Sequence, residues 1–244
     1  MGIRVESADA AFLSSARRRY APFLGRGEGL RVSLATTPRL LRRMRDEPVV
    51  RGGGRLERHD FDLELRGRRA GALLHRSAPA LDALLRILLA RELARRGGFL
   101  CHSAAVGGWL FPGRSGAGKS TLGRKVPRNR LLADELVGVL DGRLHSTPFW
   151  GDFRAGRQNG PGRLEAIFLL DRRAPRGVRP VSKLEALGRL LECALCFEDD
   201  ARSASRVLRA ARECVEAAPA FVLSYDARRT PFRRIETMLE EALR

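Results

Sequence analysis

Apolar and polar positions alternate along Leu30-Arg-Val-Ser-Leu-Ala, and again from Arg55 to Leu65, through Leu56, His59, Phe61, Leu63 and Leu65. A period near two describes a half-buried strand. Arg66-Gly67-Arg68 then turns the chain into Ala70–Leu74, after an earlier turn at Gly52-Gly53-Gly54. These runs predict a small antiparallel sheet. Residues 1–48 are otherwise weakly patterned, with a candidate helical turn from Leu40 to Met44. His59 and His75 lie in or beside the strands without metal-ligand spacing, which makes them structural or surface residues.

The period changes after Pro79. Leu81, Leu84, Leu85, Leu88, Leu89 and Leu93 form one face of a helix from about Ala80 to Arg96, with Arg86, Arg91, Glu92, Arg95 and Arg96 opposite. Such a basic amphipathic helix could lie on a membrane. A helix leading straight into a strand is instead expected to pack on a core.

That strand is Phe99–Val106, and Gly107-Gly108 is a two-residue hairpin signal before the apolar run Trp109-Leu110-Phe111. The hairpin would set Val106 against Trp109, Ala105 against Leu110, Ala104 against Phe111 and Ser103 against Pro112. His102 then falls beside Gly113. Further on, Pro127 stops a short helix, and Leu131-Leu-Ala-Asp134-Glu135 reads as a strand ending in two carboxylates. Leu144–Arg163 is a loop rich in Gly and Pro, in which Arg154 and Arg157 are candidate phosphate contacts. A strand at Leu164–Leu170, a capping box at Ser182–Glu185, a helix over Ala204–Ala217, a strand at Ala220–Ser224 and a helix opened by Pro231 complete the chain.

Gly113-Arg114-Ser115-Gly116-Ala117-Gly118-Lys119-Ser120 fits G-x-x-x-x-G-K-[ST] at every fixed position, between a strand and a helix. Its glycines let backbone N–H groups approach phosphate oxygens, and the helix that follows adds its positive end. Lys119 suits the β- and γ-phosphates and Ser120 a Mg2+ ion. Residues 113–121, from Gly113 through Arg114, Ser115, Gly116, Ala117, Gly118, Lys119 and Ser120 to Thr121, are therefore the candidate ATP contacts. An acid at a strand end beside such a loop is placed to hold Mg2+, so Ser120, Asp134 and Glu135 are the candidate metal residues. His102, Asp134 and Lys119 are the candidate catalytic residues, because a protonatable group beside bound phosphate suits proton transfer.

Composition narrows the reading. The chain has 244 residues, 44% of them apolar, enough for a substantial core. No apolar run reaches the roughly 18–20 residues of a membrane span, and the N-terminal residues lack a secretory core, so the expected location is the cytoplasm. The formal charge is +18, yet its arginines are scattered, aromatics make up only 6%, and lysine occurs only at Lys119, Lys125 and Lys183. Neither a basic block nor a base-stacking platform is evident, which argues against nucleic acid as the main partner. Cys193-Ala-Leu-Cys196 has no second pair at zinc spacing and lies in an apolar, helical-looking stretch, so packed thiols are expected.

The histidine strand Phe99-Leu-Cys-His-Ser-Ala-Ala-Val, the loop GRSGAGKST and Leu131-Leu-Ala-Asp-Glu, in that order, resemble the catalytic domain of HPr kinase/phosphorylase. That domain is itself similar to ATP-dependent phosphoenolpyruvate carboxykinase. The resemblance covers about residues 98–170. It implies an α/β fold with a P-loop nucleotide-binding core of that type at 79–244, to which the strand pattern adds a small antiparallel β-rich part at 1–78. It further implies that His102 assists Asp134 as base on an acceptor serine, and that Lys119 and Ser120 serve phosphate and Mg2+. Relatives form hexamers, so a homo-oligomer is an expectation. Glu135 stands where the family has a second Asp, and the E-I-R-G-L-G signature after the acidic strand is absent. The expected activity is thus an ATP- and Mg2+-dependent kinase acting on a serine-type hydroxyl of a protein, peptide or small molecule other than HPr. A catalytically weak nucleotide-binding regulator is the runner-up, and a basic nucleic-acid-binding ATPase stands third.

Overall fold

In the computed structural model, residues 2–25, 29–44, 48–149, 151, 161–197 and 201–244 are described. The chain is a mixed α/β protein that divides into two compact units, Met1–Glu92 with Phe197–Ser203, and Leu93–Cys196 with Ala204–Arg244.

The first unit contains β1 (Gly2–Ser7), α1 (Ala10–Arg19), β2 (Gly29–Thr37), β3 (Val49–Gly52), β4 (Arg55–Arg58), β5 (Phe61–Arg66), β6 (Arg69–His75) and most of α2 (Ala78–Arg95). Their sheet has the order β1-β2-β6-β5-β4-β3. The alternation seen in the sequence governs burial. Leu30, Val32 and Leu34, Phe61, Leu63 and Leu65, and Ala70, Ala72 and Leu74 all point into one core with Leu81, Leu84, Ile87 and Leu88 of α2. The unit runs on to Glu92 rather than stopping at residue 78, because α2 fills that core.

The sheet is mixed, not purely antiparallel. β3 to β6 pair antiparallel, but β2 joins both β1 and β6 in parallel. α1 supplies the crossover that a parallel β1–β2 pair requires. At Gly29 the strands come so close that a Cβ would lie 1.5 Å from the Gly2 carbonyl oxygen, which requires glycine there. The long alternating run is also broken in two by a turn at His59-Asp60, between β4 and β5. Leu40–Met44 contains bends and no helix.

The larger unit holds β7 (Phe99–Val106), β8 (Trp109–Pro112), α3 (Lys119–Lys125), β9 (Leu131–Ala133), β10 (Leu136–Leu140), β11 (Arg143–His145), β12 (Pro161–Arg163), β13 (Ala166–Leu170), β14 (Gly177–Pro180), α4 (Lys183–Leu191), β15 (Ala194–Leu195), α5 (Ala201–Ala217), β16 (Ala220–Ser224) and α6 (Phe232–Ala242). Its sheet runs β12-β11-β10-β7-β8-β13-β16-β14, with β9 and β15 also on β7. Helices α4 and α5 contribute to the core on one face, and α3 and α6 to the core on the other. A sheet covered on both faces favours continuous apolar strands, and β13, Ala-Ile-Phe-Leu-Leu, is buried at every position.

Aromatic packing ties together the strands that carry the site. Phe168 on β13 stacks on Phe111 of β8 at 5.6 Å and on Phe221 of β16 at 5.4 Å, while Trp109 meets it edge-on at 6.0 Å. Such pairs add about 0.5–1.5 kcal/mol each beyond area burial. They hold β8, β13 and β16 in lateral order. The Cys193–Cys196 stretch departs from its helical expectation, since α4 ends at Leu191 and β15 occupies the middle of the motif. Cys193 is buried and Cys196 exposed.

Candidate functional site

The β7–β8 hairpin has the register its two-glycine turn predicts: Val106 faces Trp109, Ala105 Leu110, Ala104 Phe111 and Ser103 Pro112. The next rung is a Gly113 N–H donating to the His102 carbonyl at 3.2 Å. His102 and the start of the glycine-rich loop are therefore adjacent by backbone pairing alone.

The loop between β8 and α3 relies on glycine conformations. Gly116 has φ +81° and Gly118 φ +112°, both in the left-handed region. Lys119 opens α3 with only 5% exposure. Its ammonium folds back to donate to the carbonyls of Gly113 at 2.6 Å and Arg114 at 3.2 Å. Burial lowers its pKa, against the opposing pull of the Glu135 carboxylate.

The two acids follow the end of β9, as the sequence predicts, and directly precede β10. β9 and β10 pair successively with β7, and Asp134-Glu135 is the break between them. Ser103 N–H donates to the Glu135 carbonyl at 3.1 Å, which holds that break against the histidine strand. The two side chains diverge in setting. Glu135 Oε1 lies 3.4 Å from His102 Nε2. Asp134 is 1% exposed, and its Oδ1 accepts from the Gly151 N–H at 3.2 Å. A Cβ on Gly151 would sit 3.3 Å from both Asp134 Oδ2 and Glu135 Oε2, so two carboxylate oxygens border one small space that only glycine leaves open.

A cavity of about 370 Å³ joins these groups. Its walls include His102, Ser115, Gly116, Gly118, Lys119, Ser120, Thr121 and Glu135, with Arg172 from beyond β13. Of the sequence-predicted residues, Gly113, Arg114, Ala117 and Asp134 are absent from its walls. Gly113 and Arg114 hold Lys119 through their carbonyls. Asp134 stands behind Glu135, near Gly123 of α3. Arg154 and Arg157 lie outside the described residues.

Arg172 and Gly151 are what sequence reasoning missed. Among so many arginines, one just past an apolar strand carries no distinct signal. Gly151 belongs to a Gly- and Pro-rich loop in which no single glycine stands out. No cluster of three or more His, Cys, Asp or Glu that could hold a metal occurs among the described residues. Among the described residues, no helix is long and apolar enough to cross a membrane. No protein-family model matches the chain, and no curated protein matches it either.

Proposed function

We propose that the larger unit is an ATP-dependent phosphotransferase, a P-loop kinase of the HPr-kinase-like type acting on a serine-type hydroxyl. One observation carries the reading: Lys119 and Ser120 of a G-x-x-x-x-G-K-S loop share a cavity with a His102–Glu135 pair. A polyphosphate needs cations and N–H donors, and an attacking hydroxyl needs a proton acceptor. That cavity offers both.

In this reading Lys119 exchanges the Gly113 and Arg114 carbonyls for β- and γ-phosphate oxygens. The buried ammonium, already partly desolvated, gains a full anionic partner. Ser120, Glu135 and Asp134 present hard oxygen donors, two of them bordering the space beside Gly151, and are the residues that would hold Mg2+. Bound there, the ion would neutralise charge on the phosphate oxygens. His102, in contact with Glu135, takes the proton as the acceptor oxygen bonds to the γ-phosphorus and the β–γ bridging bond breaks, leaving ADP. Asp134 supports the pair from behind by fixing Gly151. The proton-accepting role thus moves from Asp134 toward His102 and Glu135, the groups that face the cavity. ATP as donor goes with a cytoplasmic location, and the acceptor is a protein, a peptide or a small hydroxylated molecule.

The test is transfer from γ-labelled ATP with Mg2+ to a lysate of the source organism, comparing wild type with Lys119→Ala and His102→Ala. Label that appears with wild type and falls at least about 100-fold in both variants supports the kinase. ATP binding with no transfer, even to water, replaces it with a nucleotide-binding regulator. Affinity for DNA or RNA falling steeply with salt would favour the nucleic-acid ATPase instead.

A further inference from the structure

Strand register in the first unit's sheet sorts charge by rung. On the face turned away from the core, Arg4 of β1 pairs with Arg31 of β2, Arg31 with Arg69 of β6, and Arg69 with Arg66 of β5. Paired residues project from one face, so four arginines far apart in the sequence stand in a single row across four strands, all exposed. Neighbouring strands are about 4.8 Å apart, which makes the row about 14 Å long. Two residues further along the strands, the next rung is Glu6, Ser33, Gly71, Glu64 and Arg55, and the one after it Ala35, Leu73, Asp62 and Glu57. An arginine-rich composition by itself would spread arginine over all three rungs rather than fill one.

Most acids of the two further rungs are already answered. Arg42 reaches both Asp62 and Glu57, and Glu64 meets Arg66 at 2.7 Å and Arg55 at 3.7 Å. The guanidinium groups of Arg4, Arg31 and Arg69, by contrast, have no hydrogen bond or ion pair among the described residues. Like charges directly opposite one another destabilise a sheet, so the fold carries a cost here that it does not itself relieve. Beside the row the face is hollowed, with a volume of about 880 Å³. The small residues Ser33, Ala35 and Gly71 lie along it together with Leu73, an exposed apolar side chain. Among the described residues, no aromatic side chain lines it.

We infer that this face docks an acidic polypeptide segment, its carboxylates on the arginine row and an adjoining apolar side chain in the hollow beside Leu73. In an extended chain alternate side chains share one face about 6.6–6.8 Å apart, so carboxylates at three alternate positions span the row. Each guanidinium presents a planar fork from which a carboxylate accepts two bonds at once. Nucleic acid fits less well. The face offers no ring for a base to stack on, and a phosphodiester chain leaving the row along the strands meets Glu6 and Glu64 instead of further cations. A second copy of the same face fits less well too, since hollow against hollow leaves a void. This docking involves the first unit alone and does not depend on phosphoryl transfer by the larger one.

Fluorescence anisotropy of the full chain with a labelled peptide of alternating Glu and Ser closed by a Leu pair, beside an oligothymidylate of equal charge, tests this. Arg31→Glu sets a carboxylate between Arg4 and Arg69, so the melting temperature is expected to hold or rise while peptide affinity falls at least about tenfold. Arg209→Glu, at an exposed position of α5, makes the same change in net charge and should cost no more than about twofold. That contrast separates the row from general attraction to a chain of charge +18. At Gly71 an added Cβ meets nothing within 4 Å, so Gly71→Leu fills the hollow without loss of stability and should lower peptide affinity about fivefold. Equal losses with Arg31→Glu and Arg209→Glu, unaltered affinity in both Arg31→Glu and Gly71→Leu, or a wild type that does not bind the peptide overturn the docking face. Oligothymidylate that binds as tightly as the peptide, with the same loss in Arg31→Glu, overturns the polypeptide in favour of nucleic acid.

Discussion

Asp82 on α2 and Glu135 between β9 and β10 are both partly buried carboxylates set beside a nitrogen-bearing side chain, yet their surroundings differ in kind. Both oxygens of Asp82 are taken: Arg19 Nε donates to Oδ1 at 3.1 Å, Arg19 Nη2 to Oδ2, and the Tyr20 hydroxyl to Oδ1. Burial, and then Asp82, push the Tyr20 phenol far above its ordinary range. Glu135 instead meets His102 loosely, at 3.4 Å, on the wall of a cavity that also holds Lys119 and Arg172. A saturated cluster locks α1 to α2 and has no capacity left for a ligand. A pair on a cavity wall stands where a ligand can reach it, and geometry of this kind commonly tightens only when substrate binds.

Exchanging the two kinds of acid would break the comparison most sharply. Glu135→Ala is expected to lower phosphoryl transfer by about 100- to 1,000-fold while the melting temperature moves by no more than a few degrees. Asp82→Ala should do the reverse, costing about 2–3 kcal/mol in chemical denaturation and leaving transfer per folded molecule unchanged. Loss of stability with Glu135→Ala and loss of activity with Asp82→Ala would erase the distinction.

Gly118→Ala has a smaller effect that spans both categories. The position needs φ +112°, which an L side chain rarely adopts, and its Cβ would come into contact with Arg172 at 3.4 Å. Strain of about 1–2 kcal/mol is expected in urea titration, with ATP affinity falling at least about tenfold. Normal ATP affinity in a folded Gly118→Ala protein would detach the loop from the nucleotide.

The smallest effect belongs to the sheet unit and sharpens its structural character. Asp9 caps α1 through the Phe12 N–H at 2.9 Å and binds Arg76 through both oxygens, at 2.7 and 3.1 Å. These contacts, Arg76 foremost, hold its carboxyl at about 2. Since the folded value lies below the ordinary value of about 4, the contribution is whole above pH 4 and is lost as pH falls toward 2. Asp9→Asn keeps a good capping side chain and removes the charge. Its melting temperature should therefore change less than that of the wild type between pH 4 and pH 2.

Much of the site's local framework could be read along the chain because its contacts are local. A two-glycine turn permits one hairpin register, and that register puts His102 beside Gly113 with no knowledge of the fold. Alternation in β2, β5 and β6 marked their buried faces for the same reason. Between Asp134 and Glu135, however, nothing in the sequence selects the one that meets His102. The pair sits where β9 gives way to β10, and a strand break shifts the alternation of faces by an amount that depends on the pairing to β7. The parallel entry of β1 and β2 was equally hidden, since parallel partners are joined by a crossover rather than a turn.

What the sequence determined by itself is the glycine-rich loop, the histidine beside it and the acid pair downstream, because turn chemistry and glycine spacing act over a few residues. Only the tertiary structure decided that Arg172 shares an edge with that loop, that Glu135 rather than Asp134 faces the cavity, and that Gly151 closes on both acids. The acids' setting depends on β9 and β10 pairing with β7, and the shared edge depends on β13 pairing with β8 and β16, strands far apart in the chain. Their order is set by aromatic stacking and by burial of both sheet faces, which only the assembled core enforces.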